Sequence, residues 1–540
     1  MLIPEENVMN RSVTTVILII LTLTGSVLAT LGDTIRTIPS PYRCSQGLTF
    51  DGKQLWCVDR RSDQIYEVNP ITGAVSDSLP TPGYVPRGLA FDGKLLWVAD
   101  AEEGRLYAIN PASRIVEKTI PCPISEPTGL AWNGKHLWVS GDGYNKIDLI
   151  SIDDGTTIIS IPAPSAHTSA LSFDGTYLWV ADRFSDRIFM VAPTSGDVVL
   201  SFASPGPYPC GLAWDGKNLW TVDYQTDRIY QLKLDDGVPY FRSNEKAEKV
   251  DFLHQVRNFG PDTVKTLDVY LAIPENLPNQ ELLSKVEFVP PVTDILTDKW
   301  GQKVAHFRFT DLGPDKFTEV RMSVSVKMYE TRFFVFPDKV GKLADIPKEI
   351  RDKYLVDDTK FDIGNSIIRQ AAQEAVGTES NPFWIARRIQ QYCVDKLEYE
   401  RVGGWNVAPA VLKRGTGSCS EYTFVYIAMC RAAGLPARYA GSIVVRNDDA
   451  SFDDVFHRWV EVFLPGYGWI PVDPSGGDSK WLADVANAFG HLGNRYLITT
   501  VGGGGSEYME WGYNGNERWT SQGKCKVVVE NIGEWTPLEK

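Results

Sequence analysis

Eight cysteines in 540 residues are too few to staple a chain of this size, so the fold must rest on hydrophobic cores rather than on a disulfide framework. Basic runs are missing as well, and a formal charge of −14 argues against a nucleic-acid partner. No phosphate-binding glycine motif contradicts that: Gly502 to Gly505 reads most simply as a flexible loop. No set of histidines or carboxylates recurs in the way a metal-dependent enzyme would need, so neither metal nor cofactor is expected. Long apolar runs are absent too. The run Val13 to Thr24 is 12 residues, short of the ~20 that a membrane helix requires.

That short run, preceded by Arg11 and followed by Val27, Leu28 and Ala29, fits a secretory signal over residues 1–29 with cleavage after Ala29. Glu5 and Glu6 are wrong for a charged leader, and initiation at Met9 would repair this. A secreted or extracytoplasmic protein is expected, without a membrane span once the signal is cleaved. An uncleaved anchor that keeps the chain at the cell surface is the alternative.

The sequence then repeats itself. GLTFDGKQLWCVD, GLAFDGKLLWVAD, GLAWNGKHLWVSG, ALSFDGTYLWVAD and GLAWDGKNLWTVD start at Gly47, Gly88, Gly129, Ala170 and Gly211, 41 residues apart each time. Apolar alternation on both sides of an Asp-Gly or Asn-Gly turn is a hairpin signal, and about four short strands per ~40 residues describes β-propeller blades. The fifth repeat stops after its third strand, while Thr34 to Pro41 resembles the outer strands of the others. We therefore expect five blades over residues 30–238, closed by the N-terminal strand. The loops entering the inner strands diverge (YRCSQ, YVPR, SEPT, AHTS, PYPC), which suits a protein or glycan ligand that the residues do not name. Cys44 and Cys210 precede the inner strands of blades one and five, neighbours in a closed ring, where a disulfide can form in an oxidising compartment.

Beyond the repeats, Val250, Phe252, His254 and Val256, then Leu267, Val269, Leu271 and Ile273, then Val320 to Met328 alternate in strand fashion. They define a small β-sandwich over residues 239–335. Helical spacing resumes at Asn381 and Pro382, where Ile385, Ile389, Cys393 and Leu397 form one stripe.

The chemistry is concentrated in GTGSCSEYTFVYIAMCRAAGLPAR and VFHRWVEVFLPGYGWIPVDPS. Ser418 and Glu421 form a capping box that starts a helix at Cys419, placing a thiol in a first turn whose free N–H groups and dipole favour thiolate. His457 and Asp473 flank a Pro465-Gly466-Tyr467-Gly468 turn eight residues away on either side, so a hairpin brings them roughly opposite each other. A Cys nucleophile, a His that moves its proton and an Asp that orients the His is the minimal set for acyl transfer, and all three fall within 55 residues. Singly, each is more often a packed thiol, a satisfied core His or a turn residue.

These segments, with RAAGLPARY and FGHLGNRYLITT, resemble the transglutaminase-like superfamily of papain-like fold over about residues 360 to 500. The resemblance implies an α+β catalytic core, assigned here to residues 336–540, with Cys419 as nucleophile, His457 as general base and acid, and Asp473 as orienting carboxylate. The repeats resemble NHL and YncE-like propellers, which implies a fold without a function, and the sandwich resembles one that precedes many microbial transglutaminase-like domains. The expected whole is a secreted cysteine enzyme acting on a peptide or protein amide by hydrolysis or transamidation. The alternative is a surface binding protein with a relic catalytic domain.

Overall fold

In the computed structural model, which describes residues 30–234, 240–401, 405–446, 452–477 and 482–538, one turn side chain organises each blade, a carboxylate in four of the five. Asp51 Oδ1 accepts the N–H groups of Lys53 and Gln54 at 2.8 and 2.7 Å, and its Oδ2 accepts Trp56 Nε1 at 2.8 Å. The turn and the packed indole are thereby fixed together. Asp92 with Trp97, Asp174 with Trp179 and Asp215 with Trp220 repeat the indole bond at 2.8 Å. The glycine that follows each carboxylate adopts positive φ, 99° at Gly52, a conformation that other residues reach only with strain. Blade three differs. Asn133 Oδ1 serves the N–H groups of Lys135 and His136, but the other end of the amide is itself a donor, and the buried Trp138 Nε1 has no partner.

Five four-stranded antiparallel sheets result, and in the fifth the strand Thr34–Pro39 pairs with Arg228–Leu232 as the outer strand. The inner strand Pro209–Trp214 packs against Ser45–Phe50, which closes the ring. Between blades, Thr128 Oγ1 donates to the Thr168 carbonyl and Ser169 Oγ to the Pro209 carbonyl, both at 2.6 Å. Cys210 Sγ does the same toward Ser45 at 3.0 Å. The Cys44–Cys210 bridge that the sequence left open is not formed: both are free thiols, and Cys210 is occupied as an inter-blade donor. The signal segment 1–29 and the expected boundary at 238 lie outside the described residues.

The sandwich strands Phe241–Pro261, Val264–Ala272 and Lys316–Arg332 form where alternation places them, and Lys303–Leu312, not singled out in the sequence, joins them, together burying Val250, Phe252, Leu267, Val269, Phe307, Val320 and Met322. Its boundary needs correction. Gly515–Ser521 pairs with Val264–Ala272, and Cys525–Pro537 inserts beside Phe241–Pro261, so part of the stretch assigned to the catalytic unit completes the sandwich. Phe452–Asp453 adds to Cys525–Pro537.

The sheet that carries His457 has the antiparallel order Gly468–Val472, His457–Leu464, Ala437–Val444, Tyr496–Gly502. Helix Cys419–Ala432 packs on it, and helix Pro382–Lys396, capped by Asn381, buries Ile385, Ile389 and Cys393 against the same core. The propeller and the helices after it do not have separate cores. One apolar cluster runs from Trp179, Phe202 and Leu212 of blades four and five through Phe333 to Phe336 and into the Cys419 helix. Arg387 Nη2 donates to the Val198 carbonyl at 3.1 Å, and Tyr177 Oη to Asp338 at 3.2 Å.

Candidate active site

The helix begins at Cys419 because Ser418 leaves the helical region (φ −79°, ψ 172°) and its N–H donates to Glu421 Oε2 at 3.2 Å, within the expected capping box. Glu421 is fully buried, and it does more than cap. Its carboxylate also accepts Arg414 Nη2 at 2.7 Å and the Asn406 N–H at 3.1 Å, so the preceding loop is tied to the first turn. Cys419 itself is half-buried.

His457 opens its strand immediately after a tight turn. Asp453, buried, accepts the N–H groups of Val444 at 3.0 Å and Phe456 at 3.2 Å, together with Arg446 Nη2 at 2.9 Å. Phe456 has φ of +54° and packs its ring against Phe252 of the sandwich, centroids 5.7 Å apart. A non-glycine residue in the left-handed region directly before the candidate base costs on the order of 1 kcal/mol, which the Asp453 bonds and the Phe252 contact offset. The strand accordingly starts at His457 rather than at Val455, two residues later than alternation alone suggests.

The structure brings the three predicted residues together. His457 Nε2 bonds Asp473 Oδ2 at 2.8 Å, leaving Nδ1 for Cys419, whose thiol is hydrogen-bonded by the imidazole. The other carboxylate oxygen accepts the N–H groups of Ser475 and Gly476 at 3.1 and 3.0 Å and Ser475 Oγ at 2.8 Å. Tyr496 stacks on the imidazole at 5.5 Å. Burial works against every charge here, yet the pairing outweighs it. Burial raises the Cys419 thiol, but the bond and charge of His457 and the Arg458 backbone N–H bring it below its ordinary value. Burial lowers His457, but Asp473 and Cys419 hold it well above the usual imidazole range. Asp473, penalised by burial but facing His457, is held at about 2. Both shifts favour a thiolate beside an imidazolium. His457 and Asp473 open onto a cavity of about 470 Å³ whose wall includes Trp459, Asn487, His491, Arg495 and Tyr496.

Four residues of this region went unassigned from the sequence: Asp453, and Arg458 with Trp405 and Tyr513, whose rings, with those of Tyr439 and Phe424, surround its buried guanidinium. Arg458 carried a signal, since it occupies the apolar face of its strand; the others carried none. Among the described residues no group of His, Cys, Asp or Glu could hold a metal ion, and no helix is long and apolar enough to cross a membrane.

Residues 369–474 match the transglutaminase-like superfamily. An uncharacterised protein of Haemophilus influenzae is 28% identical over 132 residues, 20% of this chain and 36% of that one. The uncharacterised protein YebA of Bacillus subtilis is 22% identical over 281 residues, 46% of this chain and 35% of that one. The chain thus spans about a third of the length of these relatives. A putative cysteine protease of Cytophaga hutchinsonii is similar at 15% identity and a TM-score of 0.38, over 56% of this chain and 96% of that one. This chain carries a transglutaminase-like domain within a larger assembly of sheets.

Proposed function

We propose that the protein is an extracytoplasmic cysteine enzyme that transfers acyl groups from a peptide or protein amide through a thioester. The observation that carries this reading is the aligned set Cys419, His457 and Asp473, with a 2.8 Å carboxylate–imidazole bond and the sulfur at the start of a buried helix. In this scheme the Cys419 thiolate attacks the amide carbon, and the oxyanion that forms faces the first-turn N–H groups, which have no intrahelical acceptor. The His457 imidazolium gives its proton to the departing nitrogen as the C–N bond breaks, leaving a thioester on sulfur. Water or an amine then attacks that carbon, neutral His457 takes its proton, and the C–S bond breaks to restore the thiolate. Asp473 keeps Nε2 protonated throughout, so that Nδ1 handles every transfer.

The propeller is the binding platform of this enzyme, and residues 1–29 direct its export. The test is mass spectrometry of a glutamine-containing model peptide incubated with the full chain, with and without a primary amine. A mass change of hydrolysis or of amine incorporation that vanishes in Cys419→Ala supports the reading and separates its two branches. A chain that neither turns over such peptides nor reacts at Cys419 with thiol-directed probes would instead be a binding protein with a relic domain.

A further inference from the structure

A second cavity, of about 420 Å³, adjoins the one beside His457, and Asn487 and His491 belong to the walls of both. Three modules meet around it. Blade four brings Arg187 and Ser201, the sandwich brings Glu330 and Arg332, and the short helix Leu482–Asn487 brings Asn487. That helix packs on the outer strand of blade four, Val198–Ala203. One chain of hydrogen bonds links the three. Arg187 Nε and Nη2 donate to Ser201 Oγ at 3.2 and 2.8 Å, Ser201 Oγ donates to Asn487 Oδ1 at 3.3 Å, and Arg332 Nη2 donates to that same oxygen at 3.3 Å. Arg332 Nη1 adds a bond to the Asn487 carbonyl at 3.2 Å.

These bonds account for Arg332 as a clasp, but they leave Arg187 underused. A guanidinium fork matches the two oxygens of a carboxylate, whereas here both engaged nitrogens end on one hydroxyl and Nη1 bonds nothing among the described residues. Neither arginine has an ion-pair partner among those residues. The carboxylates of the wall are engaged elsewhere: Glu330 Oε1 bonds His491 Nε2 at 3.0 Å, its Oε2 accepts Asn244 Nδ2 at 2.6 Å, and Asp33 accepts the Thr30 N–H at 2.6 Å. Positive charge is crowded as a result. Burial first, and then Arg187 and Arg387, hold Arg332 down to about 10. In a chain of net charge −14, a junction cavity that gathers guanidinium groups beside the candidate base suits an anion.

We propose that this cavity is a subsite of the catalytic cleft, in which Arg187 and Arg332 bind a carboxylate of the acyl-donor peptide or protein while its amide lies at Cys419. The inference rests on the acyl-transfer reading and adds a substrate class to it: donors with an acidic side chain or a free C-terminal carboxylate near the reacting amide. It also gives the propeller a direct part in recognition, since Arg187 comes from blade four.

The test is kcat/KM on the full chain, read by mass spectrometry, for glutamine peptides in which one Glu is moved stepwise along the sequence. Each is compared with the same peptide carrying Ala, and each is made as the C-terminal acid and as the amide. One Glu register, or the free acid alone, should raise kcat/KM about tenfold or more, mainly through KM, and which of the two does so identifies the source of the carboxylate. Arg187→Met should bring that ratio to within about twofold of unity, whereas Arg187→Lys, which keeps the charge but not the fork, should retain part of it. Ala203 is exposed and pairs directly with Arg187 across the strands, so Ala203→Glu sets a competing carboxylate on the same face. It should also erase the preference, which keeps the test decisive if Arg187→Met fails to fold. Turnover without preference for any register or terminus, or a preference that the folded Arg187→Met or Ala203→Glu chain retains, overturns the subsite and leaves the acyl-transfer reading standing. Absence of turnover with every peptide, together with an unreactive Cys419, overturns that reading and the subsite with it.

Discussion

Asp473 reaches His457 along a diagonal. The ladder pairs Val460 with Val472 and ends there, so Asp473 lies one residue past the last rung and its carboxylate crosses to the first residue of the neighbouring strand at 2.8 Å. A diagonal contact of this kind depends on both the register of the hairpin and the bonds from Ser475 and Gly476 that aim the carboxylate.

Cys419→Ala should therefore abolish acyl transfer while moving the unfolding midpoint by no more than ~2 °C, because a half-buried thiol contributes little volume. Asp473→Asn should keep the fold and lose roughly a thousandfold or more in kcat/KM, since an amide can hold the wrong tautomer of the imidazole. Steady-state kinetics beside thermal melts check both.

The pH profile should follow from the same pairs. With the thiol below its ordinary value and His457 well above its own, thiolate alkylation persists below the normal thiol range and fades only as pH falls through the lowered thiol value. In His457→Gln, burial acts on Cys419 with less opposition, so the limb should move up toward or past that of a free cysteine. A limb unchanged by the substitution would show that something other than His457 sets the thiol.

Asn133→Asp should stabilise the propeller. It supplies the missing acceptor for Trp138 Nε1, as Asp51, Asp92, Asp174 and Asp215 do elsewhere, for a gain of about 1–2 kcal/mol in chemical unfolding.

Glu517, on the sandwich strand beside Val269, is raised to about 7 by burial and then by Glu510. Its neighbour His254 is lowered to about 4 by burial and offers no positive charge at neutral pH. The folded value lies above the unfolded one, so the fold favours the protonated acid: stability is greatest below the unfolded value of 4.5 and declines as pH rises toward 7. Glu517→Gln should remove that decline, raising stability at pH 8 by on the order of 1–3 kcal/mol. Urea titrations at pH 5 and pH 8 would show the difference; equal effects at both would contradict it.

Ring closure predicts that removing residues 34–40 costs far more than trimming a free terminus. The deletion uncovers the edge of Arg228–Leu232 along the whole of its pairing with Thr34–Pro39, and should lower the melting temperature of the propeller and promote aggregation.

Where the chain announces its own chemistry, the reading from residues reaches the structure. Asp-Gly turns, the indole positions, the Ser418 cap and the Pro465 to Gly468 turn are local signals, and the blades, the Cys419 helix and the His457–Asp473 hairpin follow from them. What depends on distant pairing did not show. Nothing within Gly515–Ser521 or Cys525–Pro537 says that these strands belong to a sheet begun at Phe241, and nothing near Phe333 to Phe336 reveals that blades four and five will cover it. Proximity in a ring placed Cys44 and Cys210 near each other correctly, but a thiol that donates across blades serves the closure without a bridge. Arg458 was visible as a charge on an apolar face; its cage comes from four separate segments.

The late arrival of strand Cys525–Pro537 sets the order in which the molecule can mature. That strand lies between Phe241–Pro261 and Phe452–Asp453, and Asp453 positions the turn that delivers His457. As the chain emerges from the ribosome, the sheet lacks an interior member until long after its neighbours and the nucleophile helix have been made. Cys419 is thus synthesised well before the sheet that carries the His457 turn is whole, and the two side chains are expected to come together in their final geometry only once that last strand has inserted.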